Sequence, residues 1–85
     1  MFYVYVLKSK KDGFLYTGYT EDLRKRFAEH NLGKTKSIKH RIPFKLVYYE
    51  AYADKTDARR RELELKNKGQ QREILMDRIR SSLLI

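Results

Sequence analysis

The sequence predicts a small α+β fold: a three-stranded, mainly antiparallel sheet flanked by helices, in the order β-β-α-β-α-α. Three observations predict it. Residues 2–8 (FYVYVLK), 14–19 (FLYTGY) and 44–52 (FKLVYYEAY) are short runs rich in aromatic and β-branched residues, as strands require. The first two are joined through Asp12-Gly13, a hairpin-turn pair. Residues 20–33 and 54–68 are charged stretches with apolar residues at helical spacing. The 85 residues are expected to make one domain, 1–85, with 70–85 as a C-terminal amphipathic helix.

The elements follow in order. In residues 2–8, Tyr3, Tyr5 and Leu7 fall on one face and Phe2, Val4 and Val6 on the other. Both faces are apolar, so this strand is expected at the centre of the sheet. Gly18 sits near the end of the second strand, where glycine marks a bulge or a close backbone approach. Thr20 is expected to cap the first helix, with Glu21 and Asp22 in its first turn facing the positive end of the helix dipole. Leu23 and Phe27 share one helix face, and Arg26 and His30 another. Asn31 and Gly33 stop the helix, Gly33 in a left-handed conformation. Residues 34–43 read as weakly structured and end at Pro43. In the third strand Leu46, Tyr48, Glu50 and Tyr52 alternate with Val47, Tyr49 and Ala51, and Glu50 reads as solvent-facing at the sheet margin. Asp54 or Thr56 caps a second helix running to about Lys68. Ala58, Glu62 and Leu65 share a stripe there, with Leu63 beside it also seeking the core. Glu62 either pairs with Lys66 four residues on, or turns partly inward, where a carboxylate needs a cation or metal. Ile74, Leu75, Ile79 and Leu83 define the apolar side of the last helix.

Composition excludes several chemistries. There is no cysteine, so disulfides, a thiolate nucleophile and a zinc–cysteine site are ruled out. The two histidines are ten residues apart and argue against zinc. No apolar run approaches the roughly 20 residues of a membrane span. The N-terminal stretch MFYVYVLKSKK has its basic residues behind a short apolar run and is not read as a signal peptide. No membrane association and a cytoplasmic location are therefore expected. The net charge is +9, and it is uneven: residues 1–45 carry eleven Lys or Arg against four acids, residues 46–85 nine against seven. Lys34, Lys36, Lys39, Arg41 and Lys45 follow one another with no acid between them. Such a patch favours a polyanion through counterion release, so nucleic acid is the expected partner, DNA ahead of RNA.

Tyr3-Val4-Tyr5 and Tyr16-Thr17-Gly18, with Asp12-Gly13 and Leu15 between them, resemble the two signatures of the GIY-YIG nuclease superfamily; Tyr3 stands where the first signature carries glycine. Leu23, Arg26 and His30 are similar to the family's helix pattern. Gly33, Lys34, Pro43, Leu46–Glu50 and Ala58-Arg59-Arg60-Arg61-Glu62 continue the likeness, which runs from residue 2 to about 68 and is nearest to the small stand-alone bacterial branch. It departs at Lys66–Arg72, which lacks the tryptophan usual there; Asn67 falls near the place of a supporting asparagine in larger relatives.

The resemblance implies a GIY-YIG-like domain that hydrolyses phosphodiester bonds as a metal-dependent endonuclease, on DNA and with little sequence specificity. It implies catalytic roles for Tyr5, Tyr16, Arg26, His30 and Glu62. Glu62 is the implied ligand of Mg²⁺, for which Mn²⁺ could substitute, since a hard cation takes carboxylate oxygen and keeps much of its water. Arg26 suits a phosphate through its planar donors. Tyr5 is the first choice to activate the nucleophile and Tyr16 to orient water or phosphate, with His30 relaying a proton or capping its helix. These three roles can be exchanged without contradicting the sequence. Lys10, Lys11, Lys34, Lys36, Lys39 and Arg41 are expected to hold the backbone without reading bases. The alternatives are a nucleic-acid-binding protein with weak or absent catalysis, and an accessory module of a larger DNA repair assembly. In the latter the C-terminal helix would dock on a partner or on a second copy.

Overall fold

The computed structural model describes residues 1–67 and 69–85. Strands β1 (Phe2–Ser9), β2 (Leu15–Thr20) and β3 (Phe44–Tyr52) form one antiparallel sheet in the order β2-β1-β3. The expected α+β architecture is present, with β1 central. Val4 and Val6 are fully buried on its back face, Tyr5 and Leu7 on its front. Helix α1 (Leu23–Asn31) covers the front, where Leu23 and Phe27 pack with Tyr5, Leu7, Ile38 and Phe44. Helices α2 (Lys55–Asn67), α3 (Gly69–Arg78) and α4 (Arg80–Leu83) cover the back, where Ala58, Leu65, Leu75 and Ile79 pack with Val4 and Val6. The sheet is thus sandwiched between two apolar layers, as a central strand with two apolar faces requires. Lys68, the expected end of α2, lies outside the described residues.

Four local expectations are corrected. Helix α1 is capped by Asp22, not Thr20: the Asp22 carboxylate accepts from the Lys25 N–H at 3.1 Å. Thr20 instead accepts from the Asp22 N–H, and Glu21 lies before the helix, so the two acids do not form its first turn. Asp22 stands directly before the helix, where its carboxylate oxygen reaches the third helical N–H. In β3, Leu7 pairs with Leu46 while Val6 pairs with Tyr48, so Val47 bulges and strict alternation breaks there. Leu46 therefore joins the front core, while Val47, Tyr48 and Tyr52 join the back. Leu63 is exposed, because the buried stripe of α2 is Ala58, Glu62 and Leu65 alone. Finally, Glu50 is not solvent-facing. Its carboxylate accepts from the Tyr48 and Tyr52 hydroxyls and from Arg61 Nε at 3.0 and 3.1 Å.

The loop between α1 and β3 is better ordered than its composition suggests. Gly33 has φ +78° and turns the chain out of α1. Asn31 then clamps the far end of the loop, donating to the Phe44 carbonyl at 2.9 Å and accepting from the Phe44 N–H at 2.7 Å. Ile38 is buried between these fixed points, and a 3₁₀ turn at Lys39–Arg41 completes the return.

Candidate active site

The candidate site forms at the β2 edge, around a residue with no side chain. Gly18 lies opposite Tyr5 in the β1–β2 register. A Cβ at Gly18 would overlap the Tyr5 hydroxyl, lie 2.5 Å from Tyr5 Cζ and lie 3.0 Å from Tyr16 Cε2. Only glycine lets the Tyr5 ring run beneath the edge strand to reach helix α1. There its hydroxyl meets His30 Nε2 at 2.7 Å. Tyr16 completes the group: its ring centroid lies 6.3 Å from that of Tyr5 and 5.1 Å from that of His30. Arg26 lies one turn before His30, and its charge acts on the Tyr5 hydroxyl.

Burial dominates the electrostatics. It pushes the Tyr5 hydroxyl well above the usual phenol range, helped by Tyr16 and outweighing the opposing pull of Arg26. Burial, reinforced by the Arg26 charge, pushes His30 down to about 4. Tyr5 and His30 therefore rest as a neutral, hydrogen-bonded pair at neutral pH. Tyr16 is half-buried and is the more open of the two residues. Arg26 pairs with Glu29 at 3.2 Å and borders an open cleft of about 450 Å³ that Tyr19, Lys25 and Glu29 also line.

Glu62 approaches from α2, on the other face of the sheet, and its charge is felt at the Tyr5 hydroxyl. Its side chain is only 9% exposed, yet both partners are surface cations: Arg59 Nη1 at 3.0 Å, 53% exposed, and Lys66 Nζ at 2.8 Å, 42% exposed. Both alternatives for Glu62 thus hold together, an inward carboxylate and an ion pair with Lys66. Among the described residues no group of three or more His, Cys, Asp or Glu could hold a metal ion. What fits here is a cation that takes one carboxylate and completes its shell with water and substrate oxygen, as Mg²⁺ does. Glu62 would have to give up part of its pairing with Arg59 and Lys66 to serve it.

The expected backbone-binding residues fall into two neighbourhoods. Lys10 and Lys11 lie in the β1–β2 turn, and Lys11 Nζ donates to the His40 carbonyl at 3.1 Å, so the turn and the Lys39–Arg41 segment form one basic surface. Arg41 is not free there: it pairs with Asp12 at 2.5 Å and lies 4.0 Å over the Phe14 ring. Lys34 and Lys36 are exposed on the loop after α1.

Sequence reasoning missed two contacts. Thr35 Oγ1 lies 2.8 Å from His30 Nδ1, and no pattern announces a threonine beyond a glycine turn as a histidine partner. Arg59 stacks 4.0 Å over the Tyr19 ring, whose buried hydroxyl has no hydrogen-bond partner among the described residues. An arginine in a run of three gives no hint of which one turns toward the sheet.

Comparison with known proteins bears on this arrangement. The family model for the GIY-YIG catalytic domain matches residues 1–74. A UPF0213 protein of Staphylococcus haemolyticus is 47% identical over 75 residues, which cover 87% of this chain and 90% of that protein. A UPF0213 protein of Streptococcus agalactiae is 47% identical over 70 residues, covering 81% of this chain and 78% of that protein. No solved structure matches the chain. Among the described residues no helix is long and apolar enough to cross a membrane.

Proposed function

The chain belongs to the GIY-YIG catalytic-domain family, and on that premise we propose that it binds nucleic acid, DNA ahead of RNA, and that the group at the β2 edge cleaves phosphodiester bonds in it as an endonuclease. Binding is the broader part of the reading. It is supported by the basic surface formed by Lys10, Lys11 and Lys39, together with Lys34 and Lys36 on the loop. Cleavage is the finer part, and the observation that carries it is the Tyr5–His30 hydrogen bond beneath Gly18, beside Arg26 and Tyr16.

In this reading Arg26 exchanges Glu29 for the scissile phosphate, two of whose oxygens can accept from the planar guanidinium fork. Tyr16, the more open residue of the two, orients water or phosphate. Tyr5 takes the proton lost by the attacking water as it passes its own to His30 Nε2. The resting pair is neutral, so this relay depends on the negative charge that substrate brings to His30. Glu62 would hold Mg²⁺, or Mn²⁺ in its place, which when bound neutralises charge developing on the phosphoryl oxygens. No base-reading element is added among the described residues, and cleavage with little sequence specificity is the expectation.

The test incubates the wild type, Glu62→Ala and Arg26→Ala with supercoiled, single-stranded and branched DNA and with RNA, in Mg²⁺ or EDTA, while binding is measured in parallel. Metal-dependent cleavage that both variants lose supports the full reading. Tight binding with no cleavage in any metal removes the nuclease part and leaves the binding part. Absence of binding to every substrate removes both.

A further inference from the structure

The hydrogen bonds around His30 leave one assignment that neither the family match nor the sequence makes. His30 is fully buried, and both ring nitrogens are engaged: Nε2 with the Tyr5 hydroxyl at 2.7 Å, Nδ1 with Thr35 Oγ1 at 2.8 Å. Two proton arrangements satisfy these distances. In one, Tyr5 donates to Nε2 and the Nδ1–H donates to Thr35. In the other, Nε2–H donates to Tyr5 and Thr35 donates to Nδ1. The second would make the Tyr5 oxygen accept from His30, its one hydrogen-bond partner among the described residues, leaving the Tyr5 proton with no acceptor among them. A buried hydroxyl left so is penalised. The first satisfies all of them, because the Thr35 hydroxyl proton, on a half-exposed residue, can go to solvent.

We propose that Thr35 is a positioning residue that accepts the Nδ1–H of His30, fixing the ring so that Nε2 is presented to Tyr5 as a proton acceptor. The loop is built to place it. Gly33 turns the chain out of α1, Ile38 is buried three residues on, and the paired Asn31–Phe44 hydrogen bonds close the loop. The arrangement gives the imidazole a defined donor on one side and a defined acceptor on the other, as in other sites where a third group orients a histidine. When Nε2 takes the Tyr5 proton, Thr35 still accepts from Nδ1–H, and no atom must move for the imidazolium to remain hydrogen-bonded at both nitrogens. This role rests on reading Tyr5 and His30 as the working pair of the β2-edge site.

Nitrogen-15 NMR of the whole protein tests it, because the chain has only two histidines and His40 is exposed. The expected wild-type spectrum shows His30 protonated at Nδ1 and unprotonated at Nε2, with the Nδ1 proton visible and protected from solvent exchange. Thr35→Val should speed that exchange by at least tenfold or remove the signal, and Thr35→Ser should restore it. A wild-type Nε2–H tautomer overturns the proposal, as does an Nδ1 proton equally protected in Thr35→Val. DNA cleavage supplies the second arm: Thr35→Val should lower kcat by about 10-fold with KM little changed, less than the about 10²–10⁴-fold that general acid–base catalysis itself contributes, and Thr35→Ser should recover it. Cleavage unchanged in a Thr35→Val protein that has lost the protected proton overturns the functional role. If the wild type does not cleave at all, the nuclease reading fails by itself, while the spectra still decide whether Thr35 holds the ring.

Discussion

The two edge strands of the sheet each carry a cluster of tyrosines, an arginine and a glutamate, and the two clusters are built to opposite ends. At the β3 edge, Glu50 accepts from Tyr48, Tyr52 and Arg61, and Arg61 also donates to Gln71. Both charged side chains are largely enclosed, at 15% and 19% exposure. Burial opposes Glu50's charge, but the hydrogen bonds from both tyrosines and from Arg61 together hold its carboxyl below the ordinary range. At the β2 edge Glu62 is also enclosed, but its partners Arg59 and Lys66 are surface cations, and Tyr5 there bonds to a neutral histidine. The first cluster has spent its carboxylate on two tyrosines of β3 and on Arg61, which ties α2 to that strand. The second keeps a carboxylate and an arginine whose partners can leave for water. What separates a structural cluster from a candidate site here is the replaceability of its partners.

The largest expected effect separates the two glutamates. Glu62→Gln keeps the shape and leaves Arg59 and Lys66 in water, which solvates them. It should change stability by no more than about 1 kcal/mol, the scale of exposed pairs, while lowering any cleavage by on the order of 10²-fold or more. Denaturant melts and plasmid nicking on the same preparations measure both. A Glu62→Gln protein that unfolds easily and cleaves normally would make the β2 cluster as structural as the β3 one.

The converse substitution comes next. Arg61→Met keeps much of the apolar stem but leaves Glu50 as an enclosed charge without a cation. Breaking a buried pair in this way costs about 3 kcal/mol or more, read as a lower denaturant midpoint, while cleavage per folded molecule should stay near wild type.

Acid should unfold the protein partly through His30. The unfolded chain protonates this histidine near pH 6.5, whereas the folded state does so only near 4. Between those values the unfolded state binds more protons, so stability falls as pH falls through that window. The full difference is on the order of 3 kcal/mol, from about 1.4 kcal/mol per pKa unit. Melts of the wild type and His30→Gln from pH 7 to pH 4 should converge as the solution becomes more acid. Parallel curves would mean His30 is already solvated in the folded state, and the contrast between a neutral and a charged cluster would not stand.

Much of this was legible in the residues, and the reasons for the gaps are physical. Apolar faces on both sides of residues 2–8 placed β1 at the centre, because only a covered strand can afford two. The stripe Ala58, Glu62, Leu65 offered an inward Glu62 as one of two readings, because helical spacing fixes which residues share a face. Glu50 was misplaced because the Val47 bulge breaks alternation within its strand and because its cation, Arg61, comes from another element. Thr35 was invisible for a similar reason: its contact depends on the Asn31–Phe44 clamp, which no local pattern encodes. Periodicity reports faces, and it is silent about partners that arrive across a loop.

The smallest expected effect extends the same distinction, between spent and available partners, to the basic surface. A lysine that neutralises a DNA phosphate releases counterions and contributes about 0.9 to the slope of log K against log salt. Lys36 is exposed on the loop beyond α1 and has no ion-pair partner among the described residues, so Lys36→Ala should lower that slope by about one unit if it meets a phosphate. Arg41 is already neutralised by Asp12 and covered by Phe14, so a phosphate would have to displace a carboxylate rather than solution ions. Arg41→Ala should therefore leave the slope nearly unchanged, although the two side chains belong to the same basic run. Titrating both variants and the wild type with one duplex across a salt series measures the difference. Equal losses of slope would mean that the Asp12–Arg41 pair opens on binding, and that being paired in the free protein does not mark a residue as unavailable to DNA.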